Sequence, residues 1–209
     1  MTYLSLEEGT FLVKLARATV EEYLKMRKRP RTPERVAKKL LQPCGVFVTI
    51  NSIKHGEKEL RGCIGFPYPT KPLVEATIDA AISSATQDPR FEPLNTNELN
   101  SVVFEVSILT PPQPIQVDKP AEYPSKIKVG EDGLIVEKGF FKGLLLPQVP
   151  VEWSWDEEEF LCQCCLKAGL PPDCWLMKET KIFKFNAEIF GETQPKGEII
   201  KSSLVSCTK

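Results

Sequence analysis

The chain of 209 residues lacks the long apolar run and the leading segment that would direct it into or across a membrane. No apolar stretch approaches the roughly 20 residues that a membrane-spanning helix needs. The first residues do not form a basic stretch followed by an apolar one, as secretory signals do. We therefore expect a cytoplasmic protein with no membrane partner.

Several catalytic and cofactor-binding patterns are also missing. The sequence contains no Walker A loop, no dinucleotide-binding glycine fingerprint, no HExxH and no GxSxG. We therefore predict no cofactor. His55 is the single histidine, and it lies in a predicted turn. An extended strand would place it up to about 26 Å from Cys63, which disfavours a cysteine–histidine dyad.

The charges nearly cancel, which excludes a strong overall field for duplex nucleic acid. The chain has 27 basic and 28 acidic residues and a net charge of -1. One local basic cluster follows the first predicted helix, and its members are Lys25, Arg27, Lys28, Arg29, Arg31 and Arg35. A solvated helix end is the favoured interpretation, because cations stabilise the negative end of the helix dipole. A local patch for nucleic acid stays open as an alternative.

Seven cysteines are present, and in a reducing compartment most of them should be free thiols. Four of them lie close together in sequence: Cys162, Cys164, Cys165 and Cys174. They lack the two C-x-x-C pairs that zinc sites use, so we predict no metal site. A disulfide from Cys174 to a cysteine of the predicted helix remains open in an oxidising or hyperthermophilic setting.

The apolar periodicity predicts strand hairpins interleaved with helices, which is typical of an α+β fold with a mainly antiparallel sheet. Helices are predicted after the capping boxes that begin at Ser5 and Ser154, and between Thr32 and Pro43. Further helices are predicted over residues 72–87 and 96–100. Strands are predicted over residues 45–51, 59–65, 101–109, 126–129, 134–138, 144–146 and 182–190.

The most informative local pattern is Leu60-Arg61-Gly62-Cys63-Ile64-Gly65, at the end of a predicted strand. Arg61 and Cys63 are two residues apart, so on a regular strand they would share a face. A cation beside the thiol, with backbone N–H groups between glycines, would lower the pKa of Cys63 and favour a thiolate. The alternative is that Cys63 is a small buried side chain at a closely packed position.

A second polar group consists of Asp88, Arg90 and Glu105. Glu105 lies within a strongly apolar predicted strand, so its carboxylate must be exposed, paired or functional. An ion pair of Glu105 with Arg61 or with Arg90 would be a structural explanation. If these residues lie beside Cys63, they form a polar pocket for a small ligand.

A third candidate group precedes the two tryptophans Trp153 and Trp155. Gln148 and Glu152 lie in an irregular, proline-containing segment beside these aromatic residues. Such segments often form the walls of pockets. Packing between subdomains is the other interpretation, and it is modestly favoured.

Taken together, these motifs resemble the AMMECR family over roughly residues 5–190. The resemblance is carried by LRGCIG and is extended in the same order by DPRF, EVSIL, GLLLPQV and KAGL. It implies a single α+β domain over residues 1–191, followed by a C-terminal tail over residues 192–209. It also implies a larger and a smaller subdomain around a cleft, the smaller one including parts of 126–153. Family association implies Memo-like and radical-SAM proteins as pathway partners.

Two functional hypotheses follow, since the family has no settled activity. In the first, the protein is a cleft enzyme or enzyme partner in a modification pathway. Cys63 would be the nucleophile, or Arg61 would orient a small polar or anionic substrate while Glu105 transfers a proton. The substrate-binding residues would be Asp88, Arg90, Gln148 and Glu152. In the second hypothesis, the protein is a non-catalytic regulatory or adaptor module that binds a protein or RNA.

Overall fold

The computed structural model describes residues 3–54 and 56–202, so His55 and the end of the predicted tail lie outside the described residues. Four α-helices are described: α1 (Leu6–Met26), α2 (Leu73–Thr86), α3 (Gln148–Glu152) and α4 (Glu157–Lys167). The described strands are β1 (Gly45–Lys54), β2 (Glu57–Phe66), β3 (Val102–Leu109), β4 (Gln113–Pro114), β5 (Gly133–Lys138), β6 (Phe141–Leu145), β7 (Lys181–Phe185), β8 (Ala187–Glu192) and β9 (Ile199–Ser202). Antiparallel strand pairs packed with helices confirm the predicted α+β class. Within these residues, no helix combines the length and apolar character needed to cross a membrane.

The chain divides into two compact units. The first contains the residues up to Leu109 and returns with Glu188–Ser202, whereas the second contains Thr110–Ala187. The first unit is built on a five-stranded sheet with the order β2-β1-β3-β8-β9. The second is built on a four-stranded sheet with the order β4-β7-β5-β6.

One face of the five-stranded sheet is covered by α1 and α2. The alternation along β1 explains this, because Val46, Val48 and Ile50 are fully buried while Thr49 between them is only half-buried. In β3, Val102, Phe104, Val106 and Ile108 join this core, and the other face of the strand is buried too except at the half-buried Glu105. The core of this unit lies between the sheet and the helices, and its largest side chains include Leu12, Ile50, Leu73, Phe104, Ile108 and Phe190.

A buried ion pair connects α1 to the returning strand β8. Arg17 of α1 donates from Nε to Glu192 Oε1 at 2.6 Å, and both side chains are almost completely buried. The same guanidinium donates to the carbonyl oxygens of Leu99 and Val102, at 3.0 and 2.7 Å. Glu192 also accepts the backbone N–H of Phe104 at 3.0 Å. Each charged group thus has hydrogen-bond partners, as burial of charge requires.

In the second unit, α4 packs on β5 and β6 and carries a disulfide. Cys165 is bonded to Cys174, with 6.1 Å between their Cα atoms. This is the disulfide that the sequence had left open. In the chain-entropy account, closing so short a loop stabilises the folded chain by roughly 3 kcal/mol.

The apolar run 182–190 was predicted as one strand, and that prediction is wrong. The run is divided at Asn186 into β7 and β8, which belong to different sheets. The backbone N–H of Asn186 donates to Thr110 Oγ1 at 2.8 Å, and the N–H of Thr110 donates to the carbonyl oxygen of Asn186. Alternation along a chain does not reveal which neighbour each half of a run pairs with, so the break could not be seen.

Three local predictions also differ from the structure. No α-helix forms between Thr32 and Pro43, where the chain makes only a short 3₁₀ turn at Lys38–Leu41; the prolines and neighbouring cations oppose a longer helix. The predicted strand 126–129 does not form: Lys126 ends a short 3₁₀ helix, and residues 127–129 are in neither helix nor strand. The helix expected from Ser154 begins later, because Asp156 is the N-cap and its side chain accepts the N–H of Glu159 at 2.8 Å.

Of the segment 192–209, predicted to be a tail, the described part up to Ser202 contributes to the sheet. Glu192 ends β8, and β9 pairs antiparallel with β8 at the edge of the five-stranded sheet. Only Ile199 and Ile200 give this short strand apolar character, and Ile200 is exposed. So brief a pattern does not distinguish an edge strand from a loop.

Replacing Arg17 by methionine should lower the free energy of unfolding by about 3–5 kcal/mol, because Glu192 would remain buried without its cation. Guanidinium denaturation followed by circular dichroism measures the change. The double variant Arg17→Met, Glu192→Leu should recover a large part of the loss, since neither charge then remains buried. Equal losses in the single and double variants would contradict this account.

Candidate functional site

Three polar side chains form a row across neighbouring strands, on the sheet face opposite to the one that packs against α1 and α2. The strand register places Cys63 of β2 opposite Thr49 of β1, and Thr49 opposite Glu105 of β3. All three residues are half-buried. Cys63 Sγ lies 3.2 Å from Thr49 Oγ1, within hydrogen-bond distance. Two inter-strand spacings put the backbones of Cys63 and Glu105 roughly 10 Å apart.

The glycine before Cys63 lets α2 approach the sheet closely. A Cβ atom at Gly62 would collide with the carbonyl oxygen of Ser84 on α2. Ser84 Oγ accepts the N–H of Ile64 at 2.8 Å and donates to the carbonyl oxygen of Val48 at 2.7 Å. The helix is thereby bonded to both strands beneath the row, which fixes the position of Cys63.

A buried carboxylate holds the outer edge of β2. Asp88, in the loop after α2, accepts the N–H of Cys63 at 2.8 Å and the Nε–H of Arg90 at 2.9 Å. Nη2 of Arg90 donates to Asp88 Oδ2 at 2.7 Å and to the carbonyl oxygen of Cys63 at 3.3 Å. The hydrogen bond from Arg90 is the main reason why the pKa of Asp88 is lowered to about 2. The guanidinium is thus fixed at the edge of the row while about half of its side chain stays exposed.

Arg61 lies at a β-bulge, which interrupts the regular alternation from which a shared face with Cys63 was predicted. Ile50 is opposite Gly62 but Asn51 is opposite Leu60, so Arg61 is the extra residue. Its guanidinium donates to Glu98 Oε1 at 2.8 Å and to the carbonyl oxygen of Glu92 at 2.9 Å. These bonds give Arg61 a clear structural partner in Glu98.

The surroundings of Cys63 disfavour its thiolate. Burial raises its pKa, and this outweighs the hydrogen bond with Thr49 and the positive charge of Arg90, which lower it. The carboxylates of Asp88 and Glu105 raise the pKa further. The cation that lowers the pKa of Cys63 is therefore Arg90 instead of Arg61. Burial raises the pKa by more than Arg90 lowers it, so the net shift is upward, whereas a resting thiolate requires a lowered pKa.

Gln148 and Glu152 lie on α3 in the second unit. Burial raises the pKa of Glu152, and in the described chain the buried Oε1 of Gln148 has no hydrogen-bond partner. A groove of about 510 Å³ is formed by residues that are close to α3 in the sequence. Its lining consists of Leu145, Trp153, Trp155, Gln163, Leu166 and Lys167. The two tryptophan rings stack with centroids 6.1 Å apart. The aromatic residues form this groove, and neither Gln148 nor Glu152 belongs to its lining.

Sequence reasoning missed Thr49 as a member of the row. The pairing that begins with Lys54 and Glu57 would, if continued without a bulge, bring Thr49 opposite Gly62. The bulge at Arg61 moves the pairing by one residue and so brings Thr49 opposite Cys63. No signal in the local sequence marks that shift. In the described ranges 3–54 and 56–202, no group of three or more His, Cys, Asp or Glu side chains is arranged to hold a metal ion.

Comparison with known proteins gives one consistent family. A model of the AMMECR1 family matches residues 13–190. Protein PH0010 of Pyrococcus horikoshii is 58% identical over 200 residues, covering 95% of this chain and 97% of that protein. Protein MJ0810 of Methanocaldococcus jannaschii is 54% identical over 205 residues, covering 98% of this chain and 100% of that protein. A crystal structure of PH0010, described as an uncharacterised protein, superposes with a TM-score of 0.90 and covers 97% of this chain and 100% of that one, at 56% identity.

Asp88→Asn should lower the free energy of unfolding at pH 7 by about 2 kcal/mol, the equivalent of the pKa shift of the buried carboxyl. A depressed folded-state pKa stabilises the fold fully above the unfolded value of 3.8, and this contribution is lost as the pH falls through about 2. Denaturation curves for wild type and variant should therefore converge between pH 4 and pH 2. Asp173→Asn, at an exposed position, should show no such convergence. A pH-independent deficit in Asp88→Asn would contradict an electrostatic origin.

The alkylation rate of Cys63 in the native protein should keep rising above about pH 8.5, the ordinary pKa of a thiol, because burial raises the pKa of this thiol. Iodoacetamide labelling read by peptide mass spectrometry measures the rate. The unfolded protein serves as the control and should reach its plateau at lower pH. A native plateau well below pH 8.5 would show an activated thiolate and would contradict the expectation.

Proposed function

Since this chain belongs to the AMMECR1 family, which fixes no reaction, its function must follow from its own side chains, and we propose that it binds a small polar ligand on the row Cys63–Thr49–Glu105. The observation that carries the proposal is the strand register, which aligns a thiol, a hydroxyl and a carboxylate on one sheet face. Arg90 adds a fixed cation at the edge of that row.

The chemistry of the row favours a particular class of ligand. Arg90 is a forked donor suited to a carboxylate or phosphate, and Asp88 holds it in one orientation while part of it stays exposed. Glu105, at the other end, is suited to a hydroxyl or ammonium donor. We therefore favour a small molecule with one anionic group and at least one hydrogen-bond donor, such as an amino acid or a hydroxy acid.

Binding is favoured over thiolate chemistry because of the state of Cys63. A nucleophilic cysteine works as the thiolate, and burial together with two carboxylates opposes that form here. A neutral thiol remains a good contact for a ligand, since it is small, polarisable and a weak donor. In this proposal Cys63 and Thr49 form the floor of the site, while Arg90 and Glu105 select the ligand.

The proposed setting is a cytoplasmic modification pathway. The resemblance links the family to Memo-like and radical-SAM proteins, which would supply or consume the ligand. Gln148 and Glu152, proposed from the sequence as ligand-binding residues, are left out of this site. Its polar residues all lie in the first unit, whereas those two belong to the second.

Protection of Cys63 from N-ethylmaleimide tests the proposal. The protein would be labelled at mildly alkaline pH with a panel of amino acids, hydroxy acids and dicarboxylic acids, and labelling would be read by mass spectrometry. At least one compound should slow the labelling of Cys63 without slowing that of Cys162, which is also half-buried but lies on α4.

The matched variants are Glu105→Gln, which should remove the protection, and Glu158→Gln at an exposed position on α4, which should keep it. Each variant would be compared with its own unprotected labelling rate, because the charge of Glu105 also affects the pKa of Cys63. A panel in which no compound protects Cys63 would contradict the proposed ligand class. Equal protection of Cys63 and Cys162 would contradict the site.

A further inference from the structure

A strongly basic segment lies outside the proposed ligand site. We define it as Lys25–Lys39, which contains eight basic residues and one acidic residue, Glu34. It carries a charge of +7 in a chain whose net charge is -1, so all other residues together carry -8. The charges of this protein are therefore segregated, although its total charge is close to zero.

Buried side chains hold the basic segment on the surface at three points. Leu24, Pro30 and Leu40 are buried and lie just before it, within it and just after it. The helix α1 ends at Met26, and Arg27 takes a left-handed conformation with a φ of 52° as its C-cap. Residues 27–37 form neither helix nor strand. The backbone is thus anchored while the charged side chains between the anchors project outward.

Most of these cations have no counter-charge. Arg29 pairs with Asp79 at 2.6 Å, and Lys39 lies over the ring of Tyr3, 4.9 Å from its centroid. The other six are exposed, and none forms an ion pair with a described carboxylate: Lys25, Arg27, Lys28, Arg31, Arg35 and Lys38.

A helix end alone does not account for this accumulation of charge. The dipole stabilises cations only within the last turn, and Arg31, Arg35 and Lys38 lie beyond it. Several lysines elsewhere in the described chain do have carboxylate partners, as in the pairs Lys54–Glu59 and Lys201–Glu188. Like charges held close together repel each other. A polyanion would remove that repulsion and release its own counterions.

We propose that the basic segment binds the phosphodiester backbone of single-stranded nucleic acid. Arginine matches phosphate with two parallel hydrogen bonds, and three of the six unpaired cations are arginines. The segment has no helix or strand of its own to enter a duplex groove. It also contains no aromatic side chain on which a base would stack. Binding is therefore electrostatic and insensitive to sequence.

A membrane surface fits these observations less well. Stable binding to a lipid interface combines cations with a substantial apolar face. The apolar face of α1 is buried in the core, and the exposed large apolar side chains beside the cations are Met26 and Leu41. Cations without an apolar face favour a soluble polyanion.

Fluorescence anisotropy with a labelled 20-nucleotide oligouridine, at salt concentrations from 50 to 200 mM, tests the proposal. If six phosphates are contacted, the logarithm of the association constant should fall with the logarithm of salt concentration with a slope of about -4. Arg31→Gln with Arg35→Gln removes two contacts. The affinity at 0.1 M salt should then fall about 25-fold, and the slope should become smaller in magnitude by about 1.4.

The control is Lys178→Gln with Lys181→Gln, which changes the net charge equally at exposed positions of the second unit. It should leave the affinity within about twofold, because neither lysine belongs to the basic segment that would contact the phosphates. Thermal melts would verify that both double variants are folded.

Absence of binding at 50 mM salt, or equal losses in both double variants, would overturn the proposal. Binding to phosphatidylserine vesicles without binding to oligouridine would replace nucleic acid by a lipid surface. Protection of Cys63 would be unaffected by either double variant, so this result is independent of the ligand site.

Discussion

The buried pair of Arg17 and Glu192 is the interaction on which the first unit depends. The chain leaves this unit at Leu109 and returns only at Glu188, so the returning strands must be held to a helix whose Arg17 lies 175 residues before Glu192. Glu192 binds the guanidinium of Arg17 and the N–H of Phe104 together. The pair thus fixes α1, β3 and β8 at one point, and Glu105, the residue after Phe104, is positioned as a consequence.

Asp88 has a corresponding effect at the opposite edge of the sheet. Its carboxylate accepts a hydrogen bond from the N–H of Cys63 on the edge strand β2 and orients Arg90. The same negative charge raises the pKa of the Cys63 thiol. Burial of the thiol is the larger cause of that raised pKa, and Arg90 partly opposes it. Burial together with the carboxylates therefore disfavours the thiolate, and this is why our proposal treats the cysteine, the most conspicuous residue in the sequence, as a contact and not as a nucleophile.

Sequence patterns predicted the parts of the fold that depend on near neighbours. The capping box at Ser5, the periodic face of α2 and the alternation of β1 and β3 are local signals, and the structure has these elements. The site depended on non-local pairing. Cys63 and Glu105 were identified by residue type, but Thr49 joins them only through the bulge at Arg61. The partner of Arg61 proved to be Glu98, because the chain bends back through a loop whose course no periodicity encodes.

The helix α2 is common to both proposed surfaces. Its alanines and Ser84 allow it to lie against the sheet, and its C-terminal end leads into Asp88, which holds Cys63. Asp79, on the same helix, accepts hydrogen bonds from Arg29 of the basic segment and from Lys71. Substitutions in the interior of α2 should therefore disturb both surfaces through the fold, whereas substitutions of outward cations or of Glu105 should affect one surface alone. Only a loss of folding would remove both proposed binding functions together. The difference between the two kinds of substitution therefore separates a loss of folding from a loss of recognition at one surface.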